Sequence, residues 1–296
     1  TGGTAKSIYY VSLNYFNQDG VVKSSSFKRY GARINLDTKA SEHFEMGLNL
    51  STSYAIDDYV PVGFGINGEA GTIYAALNFD PTLPLTDADG KYTTSSYLDI
   101  DNPLALAYGS NALANNYRTF GTVFGKYTLL PGLSVKINLG GDILSARKDV
   151  YVSRLTKHGN PQGGIATILQ GQNSNYLAEV TASYDKVFGK HQLDAVLGTT
   201  TQRFVTNSTN MDASQFPADA TQTYNIGLGT QSTYGLGSGK TANRLLSYLG
   251  RVNYQYDGKY LLTASFRMDG SSRFGVNNRF GYFPSFAAAW KVNEED

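Results

Sequence analysis

The connections in this chain fall into two classes that alternate along it, and this alternation constrains the fold more than any other feature. Strand-like runs are joined in turn by tight turns and by long polar segments. The tight turns fall near Thr38-Lys39-Ala40-Ser41, Pro131-Gly132, Gly189-Lys190 and Asp257-Gly258. The long connections cover roughly residues 18–27, 58–117, 151–174, 206–243 and 270–281. Antiparallel neighbours then place every tight turn at one end and every long connection at the other. A sheet trimmed at one end and elaborate at the other has the pattern of a bacterial outer-membrane β-barrel, with short periplasmic turns and long external loops.

The strand-like runs alternate with period 2. Phe44, Met46, Leu48 and Leu50 interleave with Glu45, Gly47, Asn49 and Ser51. Leu133, Val135, Ile137, Leu139 and Ile143 interleave with Ser134, Lys136, Asn138 and Asp142, and the pattern returns at 246–256 and 260–268. About ten strands are expected, near 6–17, 28–38, 42–57, 117–130, 133–150, 175–188, 190–205, 244–257, 259–269 and 282–292. The runs exceed the ~5–6 residues usual in soluble proteins and match the ~9–11 that a tilted membrane strand needs. Phe44, Tyr127, Phe188, Tyr256 and Tyr260 lie within a few residues of a tight turn and share the parity of the apolar face. That is where a periplasmic aromatic girdle falls. Lys136, Arg251 and Arg267, on the opposite parity, are expected to face a plug or a lumen.

Composition narrows the options. The 296 residues include 22 Tyr and 15 Phe but no Cys, which removes disulfides, thiolate zinc sites and Cys nucleophiles together. A net charge of +1 gives no reason to expect nucleic acid as a partner. No run of about 18 apolar residues is present, so no membrane-spanning helix is expected. The chain opens on Thr1-Gly2-Gly3-Thr4-Ala5-Lys6 without a signal peptide and stops just after a strand-like run. The expectation is that residues 1–296 are a partial barrel domain.

Several motifs suggest chemistry and fail on context. Gly63-Phe64-Gly65-Ile66-Asn67-Gly68 matches a dinucleotide fingerprint but sits in a Pro- and Gly-rich loop of an all-β chain. Asp87-Ala88-Asp89-Gly90 resembles the start of a calcium loop, yet no Glu follows at the required distance, and a β-turn is expected. His43, His158 and His191 have no metal-ligand spacing and read as solvated. Asp99 and Asp101 have no partner for acid–base work placed by sequence. No catalytic, metal, substrate or cofactor residues are assigned, no cofactor is expected, and the chain reads as a non-enzyme. Tyr59, Phe64, Tyr74 and Tyr97 could stack on sugar rings or simply pack the loop. The longest loop has the length of a functional segment, whereas 206–243, rich in Gly, Ser, Thr and Asn, reads as mobile.

The last fifty residues carry the most specific pattern. Leu246-Ser247-Tyr248-Leu249-Gly250-Arg251-Val252-Asn253-Tyr254 is followed by Tyr260-Leu261-Leu262-Thr263-Ala264-Ser265. Arg267-Met268-Asp269-Gly270-Ser271-Ser272-Arg273-Phe274-Gly275 and Gly281-Tyr282-Phe283-Pro284-Ser285 come next. This stretch resembles the hallmark region of SusC/RagA-type TonB-linked outer-membrane transporters. Tyr9-Tyr10-Val11-Ser12, Arg33-Ile34-Asn35-Leu36-Asp37, Asp80-Pro81-Thr82-Leu83-Pro84 and Asn102-Pro103-Leu104-Ala105 resemble earlier segments of the same family, in order. The resemblance implies an all-β, antiparallel transmembrane β-barrel in the outer membrane, filled by a plug, capped outside by a SusD-like surface lipoprotein and driven by a TonB complex. It implies oligosaccharides or peptides as substrates and outer-membrane lipid around the wall. Barrels with a plugged lumen have 22 strands, so about ten strands would form somewhat under half of the wall. The TonB box, plug domain and final barrel strands are not recognised in the chain.

Two other readings remain open on sequence. A complete ten-stranded barrel, a porin or surface protease, requires the last strand to close on the first. A soluble all-β carbohydrate-binding or adhesive module requires two apolar faces packed together.

Overall fold

In the computed structural model, which describes residues 1–60, 71–97 and 99–295, each strand pairs with the next one in the chain. Among the described residues eleven antiparallel strands form one sheet in sequence order. They are β1 (Gly2–Gly3), β2 (Ser7–Asp19), β3 (Ser26–Lys39), β4 (Phe44–Asp58), β5 (Ser110–Leu130), β6 (Leu133–Val152), β7 (Ile165–Phe188), β8 (His191–Ser214), β9 (Gly235–Tyr256), β10 (Tyr260–Ser271) and β11 (Phe280–Trp290). Among the described residues of the loop between β4 and β5 lie two short helices, α1 (Thr72–Asn78) and α2 (Pro103–Gly109). The sheet is open: β11 has a single neighbour, and the two-residue β1 covers only Ile8 and Tyr9 of β2. No second sheet packs on it among the described residues, which removes the sandwich, and β2 does not pair with β11, so the chain as it stands is not a closed ten-stranded barrel.

Turn chemistry sets the short ends. Leu130 pairs with Leu133 around Pro131-Gly132, where Gly132 has φ +85. Proline followed by a left-handed glycine is the type II signature. Phe188 pairs with His191 around Gly189 at φ +60, and Asp257-Gly258 lies at φ +51 and +71 between Tyr256 and Tyr260. Asp-Gly supplies both left-handed positions of such a hairpin at low steric cost.

The register assigns each side chain to a face. Tracing the pairs from Met46 through Gly125, Ile137 and Val180 to Thr199 and Tyr248 stays on one face. Val252 and Leu262 lie on that same face. Met46, Ile137, Val252 and Leu262 are 41%, 50%, 43% and 52% exposed, although apolar. A continuous exposed apolar face across a single sheet needs a non-aqueous neighbour, and here that neighbour is lipid. Lys136, Arg251 and Arg267 lie on the other face, which looks into the lumen.

Five strands run further than the alternation suggests. β5 to β9 span 20–24 residues each. The stretch at 206–243 is not one loop: β8 continues to Ser214 and β9 begins at Gly235. Above the membrane both faces of a strand meet water or loop, so apolar alternation fades, while the backbone ladder and its Ser, Thr and Asn side chains persist. The sequence count of about ten strands becomes eleven through the short β1.

Candidate functional site: lumenal wall and loop rim

Two rows of aromatic rings bound the lipid-facing band. At the turn end, Phe188, His191, Tyr256, Tyr260 and Trp290 lie ring to ring across five strands, with centroids 4.9–6.4 Å apart, and Phe44 and Tyr127 occupy the same level on β4 and β5. His191 therefore belongs to this row instead of standing free in solvent, and its Nδ1 lies 2.6 Å from the Tyr254 hydroxyl. The loop-side row is Tyr15, Tyr30, Tyr54 and Tyr117, at 5.1, 6.4 and 4.2 Å. Ten positions separate Phe44 from Tyr54 on β4. At ~3.4 Å per residue and a tilt near 40–45°, the rows stand ~25 Å apart, the height of an outer-membrane apolar band. The second row follows the outward parity of β2 to β5, far from any tight turn.

The lumenal face is polar and internally bonded. Arg118 on β5 makes a two-pronged contact with Asp142 on β6, at 3.0 and 2.7 Å. Arg267 holds Asp269 at 2.9 and 2.7 Å and reaches the Ser247 hydroxyl at 3.3 Å. Asn253 donates to Asp194 at 2.8 Å and accepts from Thr263 at 3.0 Å. Lys136 places its ammonium 4.2 Å from the centre of the Phe124 ring. Between β5 and β10 a groove of about 720 Å³ is lined by Arg118, Asp142, Asn173, Asn175, Phe204 and Arg273. Inside it Thr206 donates to Asn173 at 2.8 Å and Arg273 donates to Asn243 at 3.1 Å, while the buried Oδ1 of Asn175 has no partner in the described residues. Fixed donors and acceptors of this kind suit a soluble polar occupant.

Above the wall, side-chain clasps tie the loops. Asn102 caps α2 by accepting from Leu104 N at 2.9 Å, with Pro103 in the first helical position. Asp101 beside it is buried and accepts from the Lys157 amide at 2.7 Å and from the Asn102 amide at 2.9 Å, while the Lys157 ammonium pairs with Asp99. Burial pushes the Asp101 carboxyl above the ordinary aspartate range, against the pull of the Lys157, Asn102 and His158 amides. Asp99 and Asp101 are thus brought together as a structural latch. A second clasp centres on Asp219, which accepts from the Tyr151 hydroxyl and from Arg154 Nη1, both at 2.7 Å, while Arg154 Nη2 reaches the Phe216 carbonyl. Tyr151 and Phe216, each 2% exposed, meet edge to face with centroids 5.8 Å apart over Ala166 and Ala213. Gly164 is required there: its φ is +81, and a Cβ would stand 2.2 Å from the Tyr151 hydroxyl. Nothing in the sequence pattern joined positions 68 residues apart.

The tempting motifs resolve plainly. Asp87 spends its Oδ1 on the Asp89 and Lys91 amides at 3.0 and 2.9 Å, which makes a turn. No group of three potential metal ligands occurs among the described residues. Phe64 and the motif Gly63–Gly68 lie outside the described residues. Tyr59 lies under the Lys148 ammonium at 4.7 Å. Tyr97 is 87% exposed, and Tyr74 sits on α1. Among the described residues no ring contact joins these three. His158 approaches Gln162 at 3.5 Å.

No protein-family model matches the chain. TonB-dependent receptor P3 of Formosa agariphila is 34% identical over 301 positions, an alignment that covers all of this chain and 30% of that receptor. TonB-dependent receptor SusC of Bacteroides thetaiotaomicron is 30% identical over 321 positions, again across the whole chain and 30% of the receptor. The chain thus spans about 30% of the length of these curated relatives. A solved structure of the RagAB peptide transporter matches the fold with a TM-score of 0.85 at 23% identity, over 99% of this chain and 33% of that one. With an aromatic-bounded lipid band, a polar lumenal wall and similarity to receptors along its whole length, the chain belongs to the SusC/RagA-type TonB-dependent receptors of the Gram-negative outer membrane, as part of their barrel wall.

Proposed function

We propose that residues 1–296 supply part of the wall and loop rim of an importer that moves oligosaccharides or peptides across the outer membrane, driven through TonB and covered outside by a SusD-like lipoprotein. The observation that carries this reading is the lumenal face. On it Arg118 is paired with Asp142 and Arg267 with Asp269, Thr206 and Arg273 are bonded to Asn173 and Asn243, and a polar groove runs between β5 and β10. Such a surface fits water-soluble cargo and a polar plug better than it fits lipid. The clasped loops fit a rim against which a lid closes. Among the similar structures, RagAB is described as a peptide transporter, which favours testing peptides beside glycans. We assign the chain no chemical step, since the carboxylates that sequence offered for acid–base work are committed to loop latches.

The test is uptake. Cells lacking the gene are supplied with a panel of labelled oligosaccharides or oligopeptides too large for porins. Loss of uptake of one class, restored by the gene and abolished again when TonB is inactivated, is the expected result. Unchanged uptake of every substrate, or uptake independent of TonB, would overturn the reading. Co-purification of a lipoprotein lid tests the partner, and hydrolysis of any substrate by the purified protein would refute the non-enzyme assignment.

A further inference from the structure

We propose that Arg203 and Arg244 form a binding site for the phosphate of an outer-leaflet glycolipid, on the lipid side of the wall. The two residues are direct cross-strand partners on β8 and β9. The register places both on the outward face, with Val180, Thr199, Tyr248 and Val252. Both are exposed, and neither has an ion-pair partner among the described residues. Like charges set directly opposite one another in an antiparallel pair repel. A pair of guanidinium groups kept side by side without a carboxylate is best satisfied by an anion outside the protein.

The surroundings define that anion. From β7 to β11 the outward face carries no Asp or Glu, so no protein carboxylate is available from either side. Below the pair on the same face lie Thr201 with Leu246, Thr199 with Tyr248, and Leu197; above it come Val205 with Ala242 and then Asn207 with Lys240. Tyr176 of β7 pairs with Arg203 from the other side. Arg203 is twelve positions above His191 of the turn-side aromatic row, and Arg244 is twelve above Tyr256. The loop-side tyrosine of β4 stands ten above its own turn-side ring. The two arginines therefore sit one β-repeat above the apolar band, at headgroup depth, with an aromatic ring and acyl-chain contacts beneath and a lysine above. Arginine presents paired N–H donors that match phosphate oxygens, and such contacts are charge-assisted. A phosphate tethered to acyl chains fits this arrangement better than a free ion, because the apolar residues below the pair would engage the chains.

The test is lipid retention by the intact protein, purified in mild detergent and read by native mass spectrometry. The probes are diphosphorylated lipid A and the same lipid with its phosphates enzymatically removed. Retention of the phosphorylated form, reduced at least tenfold in the double variant Arg203→Gln/Arg244→Gln and not displaced by millimolar inorganic phosphate, is expected. A Lys28→Gln variant, which removes an outward lysine on distant β3, should retain lipid as wild type does. If the double glutamine variant lacks the heat-modifiable gel shift of a folded barrel, Arg203→Lys/Arg244→Lys is read in its place, with a several-fold loss expected as the forked contacts disappear. Equal retention of the dephosphorylated lipid, displacement by inorganic phosphate, or undiminished retention in the folded double variant would each overturn the proposal.

Discussion

The outward face of β6 meets three surroundings in twenty residues. Near the turn, Leu133, Val135, Ile137, Leu139 and Ile143 face lipid. Next on the same parity come Ser145, Arg147 and Asp149, with Arg147 holding Asp149 at 2.9 Å. The last outward residue, Tyr151, is buried again, this time under Phe216 of a folded-over loop. The turn-side half and the loop-side half share strands, register and backbone ladder. They differ in what touches them. The turn-side half is stabilised by transfer of apolar surface into hydrocarbon and by interfacial rings. The loop-side half is stabilised as a soluble protein is, by a small core, a buried hydroxyl and half-buried ion pairs. Strand continuity is therefore no guide to where the membrane stops.

This contrast can be broken most sharply with a single charge. Leu48 lies on the outward face of β4 between the two aromatic levels, and Gln170 lies outward on β7 beyond them. Leu48→Arg should destabilise folding into bilayers by about 2–4 kcal/mol, as expected near the bilayer midplane, whereas Gln170→Arg should cost about 0–1 kcal/mol. Reversible denaturant titration in vesicles measures both, and equal costs would refute the division.

A smaller effect is expected on the other side of the boundary. Arg154→Ala removes the guanidinium from Asp219, which keeps the Tyr151 hydroxyl and the residue-154 amide, and takes a donor from the Phe216 carbonyl. The loop at 215–234 should open with a local loss of about 1–3 kcal/mol, seen as faster proteolysis within it. The heat-modifiable gel shift and the folding midpoint in vesicles should not move, because nothing in the lipid band touches the clasp. A shifted midpoint would show that the halves are coupled.

The smallest expected effect is a pH dependence confined to the loops. Asp101 has a folded-state pKa raised by burial. The folded latch then binds its proton more readily than the open one. Its contribution is fully present below the ordinary aspartate value of about 3.9 and is lost as pH rises through the raised value. Hydrogen-exchange protection of the Lys157 amide, corrected for intrinsic exchange, should fall across that window on raising pH and become pH-independent in Asp101→Asn. A rise in protection with pH would contradict the assignment.

Most of the turn-side half was legible in the sequence. Alternation at 44–51 and 133–143 gave the strands and their parity, Pro131-Gly132 and Asp257-Gly258 gave the hairpins, and Phe44, Tyr127 and Tyr260 gave one aromatic row. Each signal is local, and burial against lipid imposes it on every second residue. The loop-side half carries no such signal because water relaxes that demand. Thr206 to Asp212 pairs with neighbours on both sides, yet without an apolar parity it resembles loop. The lumenal pairs and the loop clasps join residues such as Arg118 with Asp142 and Tyr151 with Asp219, whose proximity follows only once register and loop path are known. The resemblance carried the family, while the paired arginines at 203 and 244 became visible only through the register of β8 and β9.

One parity of one strand, the odd positions of β6, passes from lipid to water partway along its length. Because residues 1–296 contain no cysteine, single cysteines at positions 133 to 149 can each carry a nitroxide in the protein reconstituted in vesicles, with any cysteine elsewhere in the protein replaced by serine. Relaxation by dissolved oxygen reports lipid, and relaxation by a water-soluble nickel chelate reports solvent. High oxygen access is expected at 135, 137, 139 and 143, low oxygen access at the even positions between them, and a switch to nickel access at 145 and 147. Nickel access along all the odd positions, or protection of both parities from both reagents, would contradict it.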